Sequence, residues 1–151
     1  MGRFSTNLFR CPSDRDVWTR QQNQIKNPKS VNYYLYSYSL NSHVVNDQNR
    51  GMSSLYDPDA VAPPLHFRAA RIRNPSQKIM LIDESSRTAR GTISTNPDDG
   101  RWTPSDNSNP DNGNQITARH GGRGTVSFPD GHVDGVKPIF GNKSANYDPT
   151  L

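Results

Sequence analysis

The sequence is poor in cysteine, glutamate and apolar residues, and each shortage narrows the range of proteins to which it can belong. Cys11 is the only cysteine among 151 residues, so the chain has no intrachain disulfide and no cysteine pair for a zinc finger. Glu84 is the only glutamate, whereas aspartate and asparagine, which favour turns, are common. Apolar residues make up 30%, enough for one modest core. We therefore predict one domain over residues 1–151, built mainly from strands and loops.

Long apolar runs and dense basic runs are also missing. No stretch is apolar enough for a signal peptide or a membrane-spanning helix. The formal net charge is +4, but lysine and arginine are scattered, and the densest group is Arg68, Arg71 and Arg73. A phosphate-binding surface usually shows an organised basic patch, so we expect a solvated basic surface and no nucleic-acid partner.

Two stretches have the pattern of strands. Val31–Leu40 alternates with a period of two and places Tyr34, Tyr36 and Tyr38 on one face. Lys78–Ile82 is a short apolar run bounded by turn residues, which predicts a buried central strand.

Asp83 and Glu84 follow that apolar run and invite an acid–base interpretation. Adjacent strand residues point to opposite faces, which makes joint catalysis by the two carboxylates unfavourable. We expect them to pair with Arg87 or Arg90 instead.

Asp130-Gly131 lies between two β-capable runs and predicts a hairpin over residues 124–136. A two-residue loop would place Phe128 opposite Val133 and keep apolar side chains on one face. A three-residue loop that also uses Pro129 would pair Ser127 with Val133 and mix the faces. We favour the shorter loop, although Pro129 lacks the N–H that such a turn would use.

Three other segments carry simpler expectations. Cys11 is expected to be a buried, inert thiol rather than a nucleophile. Val17–Lys29 is polar and predicts a loop with at most one helical turn. The tail after Pro138 is expected to lie on the surface with Phe140 or Tyr147 as an anchor.

The spacing His120-x9-Asp130-Gly131, in the setting Arg-His-Gly-Gly-Arg-Gly and Phe-Pro-Asp-Gly-His-Val, resembles the C-terminal signature of prepilin-like proteins. The globular domains of that family resemble type IV pilins and type II secretion pseudopilins. The signature occupies residues 120–131. Three further segments resemble family segments, namely Cys11-Pro12-Ser13-Asp14, Ser37-Tyr38-Ser39-Leu40-Asn41, and the strand that follows Asn74-Pro75-Ser76.

The resemblance implies a mainly β (α+β) fold, with an antiparallel sheet, long loops and little helix. It implies a non-catalytic structural subunit or domain of a pilus-like or type II secretion-like assembly, in the periplasm or at the cell surface. The partners would be other pilin-like subunits, in homo- or hetero-oligomers. The family's N-terminal apolar helix, its route to the membrane, is expected to be absent here, either by truncation or by loss.

Under this resemblance the motif residues are structural rather than catalytic. We expect His120 to bond a loop carbonyl and Asp130 to bond backbone N–H groups of its turn. A metal or hydrolytic site made from His120, His132, Asp130 and Asp134 is the competing hypothesis. The full motif set is Cys11, Pro12, Asp14, Tyr38, Asn41, His120, Gly121, Gly122, Asp130, Gly131 and His132.

Two ligand hypotheses complete the analysis. The loop over residues 96–114 is rich in oxygen donors, and some pseudopilins hold Ca²⁺ in a similar region, so Ca²⁺ is the one cofactor considered. No register matches the EF-hand pattern, and a solvated loop is the simpler interpretation. The alternative function is an extracellular module that binds a glycan or another ligand through aromatic side chains. The candidate Ca²⁺ ligands are Asp98, Asp99, Asp106 and Asp111, and the candidate aromatic residues are Tyr34, Tyr36 and Trp102.

Overall fold

The structure is a computed structural model that describes residues 6–26, 36–42, 44–45, 48–49, 52, 69–85, 100–104 and 115–151. Its two α-helices are α1 and α2, and its strands are β1 to β7. Short 3-10 helices cover Thr6–Phe9, Ala69–Arg71, Pro75–Gln77 and Pro138–Asn142. The other elements are α1 (Val17–Lys26), β1 (Tyr38–Asn41), β2 (Val44–Val45), β3 (Gln48–Asn49), β4 (Leu81–Asp83), β5 (Arg101–Trp102), β6 (Gly124–Ser127), β7 (Val133–Val136) and α2 (Ser144–Tyr147).

The main sheet contains five strands in the order β5-β1-β4-β6-β7, and β2 and β3 form a separate antiparallel pair. This confirms a mainly β fold with little helix. The prediction of an antiparallel sheet is wrong at one edge, because β1 and β5 are parallel while the other three pairings are antiparallel. A parallel pair needs a long crossover connection, and no local sequence pattern indicates its direction.

β4 occupies the centre of the sheet, which confirms the predicted central strand, but β4 covers Leu81–Asp83 and shares only Leu81 and Ile82 with the predicted run Lys78–Ile82. Ile79 and Ile82 have no solvent exposure. Phe140 and Tyr147 pack against the core, so both expected anchors of the tail contribute. The core consists of Ile79, Ile82, Trp102, Ile116, Val126, Phe128 and Val136.

β1 turns a polar face inward. Ser39 and Asn41 are fully buried, whereas Tyr38 and Leu40, which alternate with them along the strand, are half-buried. Asn41 Nδ2 donates to the carbonyl of Ile79 at 2.8 Å and to that of Tyr147 at 2.8 Å. These bonds satisfy a buried amide and tie β1 to the C-terminal tail. The rest of the predicted strand, residues 31–35, lies outside the described residues.

The hairpin predicted over residues 124–136 is confirmed, but its preferred register is wrong. β6 and β7 pair with Ser127 opposite Val133 and Val126 opposite Asp134. Phe128 donates its N–H to the carbonyl of His132 at 3.0 Å, which closes a three-residue loop.

Turn chemistry decides this register. The Gly131 N–H donates to the Phe128 carbonyl at 2.9 Å, and Gly131 has φ +94°. This is a turn over residues 128–131, with Pro129 in its second position and Gly131 in its fourth. Gly131 also supplies the positive φ that three-residue hairpin loops require. The missing N–H of Pro129 is not needed in that position. Val133 is left 62% exposed, so face segregation gave way to the turn.

α1 is a second correction, because the predicted loop is a helix of 10 residues. The Arg20 N–H donates to the Asp16 carbonyl at 3.0 Å in the first turn. Its large apolar residues, Trp18 and Ile25, are 66% and 64% exposed, whereas Arg20 is 1% exposed. The helix is therefore held to the rest of the fold by a buried arginine rather than by an apolar face. Hydrophobic periodicity could not predict such a helix. In the part of the chain that the structure describes, no helix has the length and apolar character needed to cross a bilayer.

Candidate functional site

The candidate site forms at the end of β4, where four segments meet. Asp83, the last residue of β4, is fully buried and lies opposite Tyr38 of β1. On the other side, the Thr117 N–H donates to the Asp83 carbonyl at 2.9 Å. Asp83 is thus held on both sides by backbone pairing, and its side chain has a defined direction.

The segment that begins at Cys11 is fastened beside β1 by hydrogen bonds. The Cys11 N–H donates to Ser37 Oγ at 3.0 Å, and the Ser37 N–H donates to the Phe9 carbonyl at 2.9 Å. Pro12 and Ser13 form an exposed turn that the Asp14 N–H closes by donating to the Cys11 carbonyl at 2.9 Å. This turn carries Cys11 and Asp14 into the interior.

Asp14 is the centre of a buried charge cluster. Its Oδ2 accepts hydrogen bonds from Arg20 Nη2 at 2.8 Å and from Ser37 Oγ at 2.8 Å. Arg119 Nη1 lies 3.0 Å from the same oxygen, an ion-pair distance, although its N–H groups are not aligned for a hydrogen bond. The Asp14 side chain has no solvent exposure, so these contacts replace its hydration.

Arg119 joins Asp14 to Asp83. Its Nε donates to Thr117 Oγ1 at 2.8 Å, and its Nη2 donates to the Glu84 carbonyl at 2.5 Å. The same Nη2 lies 3.6 Å from Asp83 Oδ1. We call Asp14, Arg20, Asp83 and Arg119 the aspartate–arginine cluster. It contains two carboxylates and two guanidinium groups, so its formal charges balance.

Cys11, Asp83 and His120 bring a thiol, a carboxylate and an imidazole together. His120 Nε2 lies 2.9 Å from Asp83 Oδ2 and 3.3 Å from Cys11 Sγ. One donor atom from each of the three residues falls within 4.8 Å of the others. We call this group the Cys11–Asp83–His120 cluster. Asp83 belongs to both clusters and links them.

The pKa values of Asp14 and Asp83, the two aspartates of these clusters, are shifted in opposite directions. Burial raises the pKa of Asp14, but the hydrogen bond and charge of Arg20, with Arg119 and Ser37, outweigh it and leave that pKa lowered. Burial also raises the pKa of Asp83, and there the charges and hydrogen bonds of Arg119 and His120 do not compensate, so that pKa stays raised. Burial is also the main reason that the pKa of the Cys11 thiol is raised. Cys11 is 3% exposed, as the buried-thiol prediction requires.

The predicted hydrogen bond from His120 to a loop carbonyl is wrong. Its imidazole contacts Asp83 and Cys11 rather than a loop carbonyl. Its backbone does brace the glycine turn, because the His120 N–H donates to the Arg123 carbonyl at 3.0 Å. Gly121 and Gly122 have φ +62° and +83°, a conformation that glycine adopts without strain.

Asp83 and Glu84 point to different neighbours, as adjacent strand residues should. Asp83 faces His120, whereas a Glu84 carboxylate oxygen accepts a hydrogen bond from Ser39 Oγ. Their expected partners, Arg87 and Arg90, lie outside the described residues. Arg119, which pairs with Asp83, lies far along the sequence.

The proposed combination of His120 with the hairpin turn does not form. His132 Nδ1 lies 2.6 Å from Asp130 Oδ1 within the turn, and the His132 N–H donates to the same oxygen at 3.2 Å. Asp134 is exposed and accepts the Gly135 N–H at 2.7 Å. Each histidine therefore has its own aspartate, which argues against one site built from all four.

The two described aromatic candidates, Tyr36 and Trp102, do not form a shared binding platform. Trp102 is 1% exposed and packs edge-on against Tyr147, so its assignment as a ligand-binding residue is wrong. Tyr36 is half-buried and makes an edge-on contact with Phe9. Tyr34 lies outside the described residues, as do all four candidate Ca²⁺ ligands, Asp98, Asp99, Asp106 and Asp111.

Sequence reasoning missed Arg20 and Arg119, which balance the buried aspartates. Arg119 directly precedes His120, and its position next to the signature is the only sequence hint of a role. Arg20 has no comparable signal within its polar segment. Comparison of the chain with known protein families, with curated proteins and with solved structures finds no match.

Proposed function

We propose that this chain is a non-catalytic structural subunit or domain of a pilus-like or type II secretion-like assembly, at the cell surface or in the periplasm. One observation carries the proposal. Residues from the separate segments that resemble prepilin-like proteins meet around the end of β4. Cys11 and Asp14 come from the first segment, Asp83 from the strand, and His120 from the signature. Such convergence supports a common structural purpose for those segments.

The chemistry at this position supports structure over turnover. The Cys11 thiol is buried and its raised pKa disfavours the nucleophilic thiolate. A cysteine–histidine–aspartate relay uses opposite nitrogens of the imidazole, one for the nucleophile and one for the carboxylate. Here Nε2 of His120 contacts both Cys11 and Asp83. This arrangement holds segments together and does not orient a general base.

α1 offers a surface on which a neighbouring subunit could pack. Trp18 and Ile25 are seven positions apart, so they share one face of the helix. They are 66% and 64% exposed. Large apolar side chains left in solvent on one helix face are typical of contact surfaces. We propose that this face contacts another pilin-like subunit.

Site-specific photo-cross-linking in the native host tests this role. A benzophenone amino acid at position 18 should yield cross-links to a second copy of this chain or to another pilin-like subunit. The same amino acid at Gln77, an exposed position in the 3-10 helix Pro75–Gln77, serves as the control. Equal cross-linking from both positions, or no cross-linked product from position 18, would contradict the proposal.

Ligand binding on the same scaffold is the second candidate, and the surroundings of Trp18 favour it. Trp18 lines an open depression of about 290 Å³ together with Arg10, Arg15 and Gln21. An exposed indole beside hydrogen-bond donors is a common arrangement for glycan contact. Tryptophan fluorescence titrated with a panel of glycans tests this candidate. Quenching that is lost in Trp18→Phe would favour it, and an unchanged spectrum with every glycan would remove it.

A further inference from the structure

The Cys11–Asp83–His120 cluster has the features of a coordination site, and this inference goes beyond the structural role proposed above. We propose that Cys11 Sγ, Asp83 Oδ2 and His120 Nε2 bind one divalent cation of the zinc type, with solvent as the fourth ligand. Thiolate, carboxylate and imidazole are all ligands that Zn²⁺ accepts, and three protein ligands with one open position is a known zinc arrangement.

The distances are close to those that a tetrahedral ion needs. Zn–N and Zn–O bonds of about 2.0–2.1 Å at the tetrahedral angle separate nitrogen from oxygen by about 3.3 Å. The observed separation of His120 Nε2 from Asp83 Oδ2 is 2.9 Å. A Zn–S bond of about 2.3 Å similarly separates sulfur from nitrogen by about 3.6 Å. Cys11 Sγ and His120 Nε2 are 3.3 Å apart. An outward shift of a few tenths of an ångström brings each of these two separations to its tetrahedral value, and the third pair, Cys11 Sγ and Asp83 Oδ2, lies within 4.8 Å.

The direction of the imidazole also fits coordination. Nε2 faces both Cys11 Sγ and Asp83 Oδ2, but it carries only one proton or one lone pair. A single N–H serves two acceptors poorly, whereas a lone pair aimed between them meets a cation that all three share. Asp83 supplies a further sign, since its side chain is fully buried and its Oδ1, which is not the ligand atom, has the Arg119 guanidinium at 3.6 Å but no hydrogen-bond partner among the described residues. A cation would compensate this incompletely satisfied carboxylate.

The local charges permit a dication. A Cys11 thiolate and the Asp83 carboxylate neutralise two positive charges, because metal binding displaces the thiol proton. Arg119 lies 3.6 Å from Asp83 Oδ1, and its positive charge opposes a cation. Asp14, whose Oδ2 is 3.0 Å from Arg119 and 2.8 Å from Arg20, offsets part of that positive charge. The His120 side chain is 37% exposed, which provides an entry path and the solvent position.

Titration of the purified, chelator-treated full chain with Co²⁺ tests the proposal, because Co²⁺ replaces Zn²⁺ and reports its ligands by absorption. We expect one Co²⁺ per chain, a thiolate-to-cobalt charge-transfer band, and intense visible bands of a tetrahedral ion. Zn²⁺ should displace the Co²⁺ and raise the thermal unfolding midpoint.

Variants identify the ligands. Cys11→Ser should abolish the charge-transfer band, and His120→Ala should abolish both tight binding and the Zn²⁺-induced rise in midpoint. His132→Ala is the matched control, because it removes the other histidine that contacts an aspartate and should leave both signals intact. Circular dichroism shows whether each variant is folded. If Cys11→Ser does not fold, the rate of thiol alkylation in the wild-type chain replaces this test. Cys11 should be alkylated more slowly in the Co²⁺-loaded chain than in the metal-free chain.

The absence of a charge-transfer band in the folded wild-type chain would overturn the proposal. A band that survives in folded Cys11→Ser, or that His132→Ala removes, would also overturn it by locating the metal elsewhere. None of these results depends on whether the chain assembles with pilin-like subunits.

Discussion

Among the described residues, two contacts between a histidine and an aspartate lie in very different surroundings. His120 Nε2 lies 2.9 Å from Asp83 Oδ2 and joins residues 37 positions apart. His132 Nδ1 lies 2.6 Å from Asp130 Oδ1 and joins residues two positions apart. The Asp83 side chain is fully buried, whereas that of Asp130 is 34% exposed. The first contact holds two segments of the fold together, and the second completes a turn.

The pKa values of the two aspartates show what burial changes. Burial raises the pKa of Asp83 beyond what Arg119 and His120 can offset. Around Asp130, partial loss of solvent raises the pKa, but the hydrogen bonds and charge of His132 together outweigh it and leave the pKa lowered. The same two residue types therefore give a buried contact in which the pKa of the aspartate is raised and a surface contact in which it is lowered.

The largest effect is expected at the centre of the buried charge cluster. Asp14→Asn removes the buried carboxylate charge that contacts the guanidinium groups of Arg20 and Arg119, and we expect a loss of about 3–5 kcal/mol in the free energy of unfolding. Urea denaturation measures it. Ser37→Ala removes one donor to Asp14 and should lose about 1 kcal/mol.

Asp134→Asn is the matched control for this prediction, because that carboxylate is exposed on β7 and should unfold close to wild type. Equal midpoints for Asp14→Asn and Asp134→Asn would mean that the buried cluster contributes no stability.

A smaller effect is expected when the two histidine–aspartate contacts are broken separately. His120→Ala removes a hydrogen bond from a buried carboxylate, and we expect a loss of about 1–2 kcal/mol, reduced by the partial exposure of the imidazole. Asp130→Asn changes only a solvent-exposed turn, and its urea midpoint should not differ measurably from that of wild type. If Asp130→Asn destabilises the chain as much as His120→Ala, burial is not what distinguishes the contacts.

The hairpin turn itself should be sensitive to backbone conformation rather than to charge. Gly131 has φ +94° and no neighbouring atom near an added Cβ, so Gly131→Ala introduces conformational strain without a clash. We expect a loss of about 1 kcal/mol, with Gly131→Asn losing less because asparagine tolerates positive φ better. Thermal unfolding of both variants measures the difference. A neutral Gly131→Ala would contradict the turn geometry described above.

The smallest effect concerns acid stability. Because the pKa of folded Asp14 is below its ordinary value of 3.8, its stabilisation is fully present above pH 3.8 and is lost as pH falls through the folded pKa. Asp130 contributes in the same direction, but its exposure allows salt to screen it. Asp130→Asn should therefore keep most of the acid-dependent loss of stability, and added salt should reduce the remaining difference from wild type. If this variant abolishes the acid dependence, Asp14 is not its source, because Asp83, whose pKa is raised, contributes in the opposite direction.

The elements that sequence analysis predicted correctly have local causes. The apolar run at Lys78–Ile82 and the Asp130-Gly131 turn each depend on a few neighbouring residues, and both form as strand and hairpin. The predicted register was wrong because it followed the alternation of apolar residues, whereas the preference of Pro129 for the second position of its turn decided the pairing. Of the candidate site, Cys11, Asp14 and His120 were selected through the resemblance, but their partners were not predicted. Apart from Arg20, which is six residues from Asp14, those partners are distant in the chain, and no periodicity encodes such contacts.

By itself, the sequence determined that this protein is rich in strands, has one modest core and turns sharply at an aspartyl-glycine pair. Short-range backbone preferences and the alternation of apolar residues are sufficient for those features. The tertiary structure alone decided that β5 runs parallel to β1, that Arg119 links Asp14 to Asp83, and that His120 faces Cys11. The physical reason is burial. A charge removed from water must find its partner wherever the fold brings one within reach, whatever the distance along the chain.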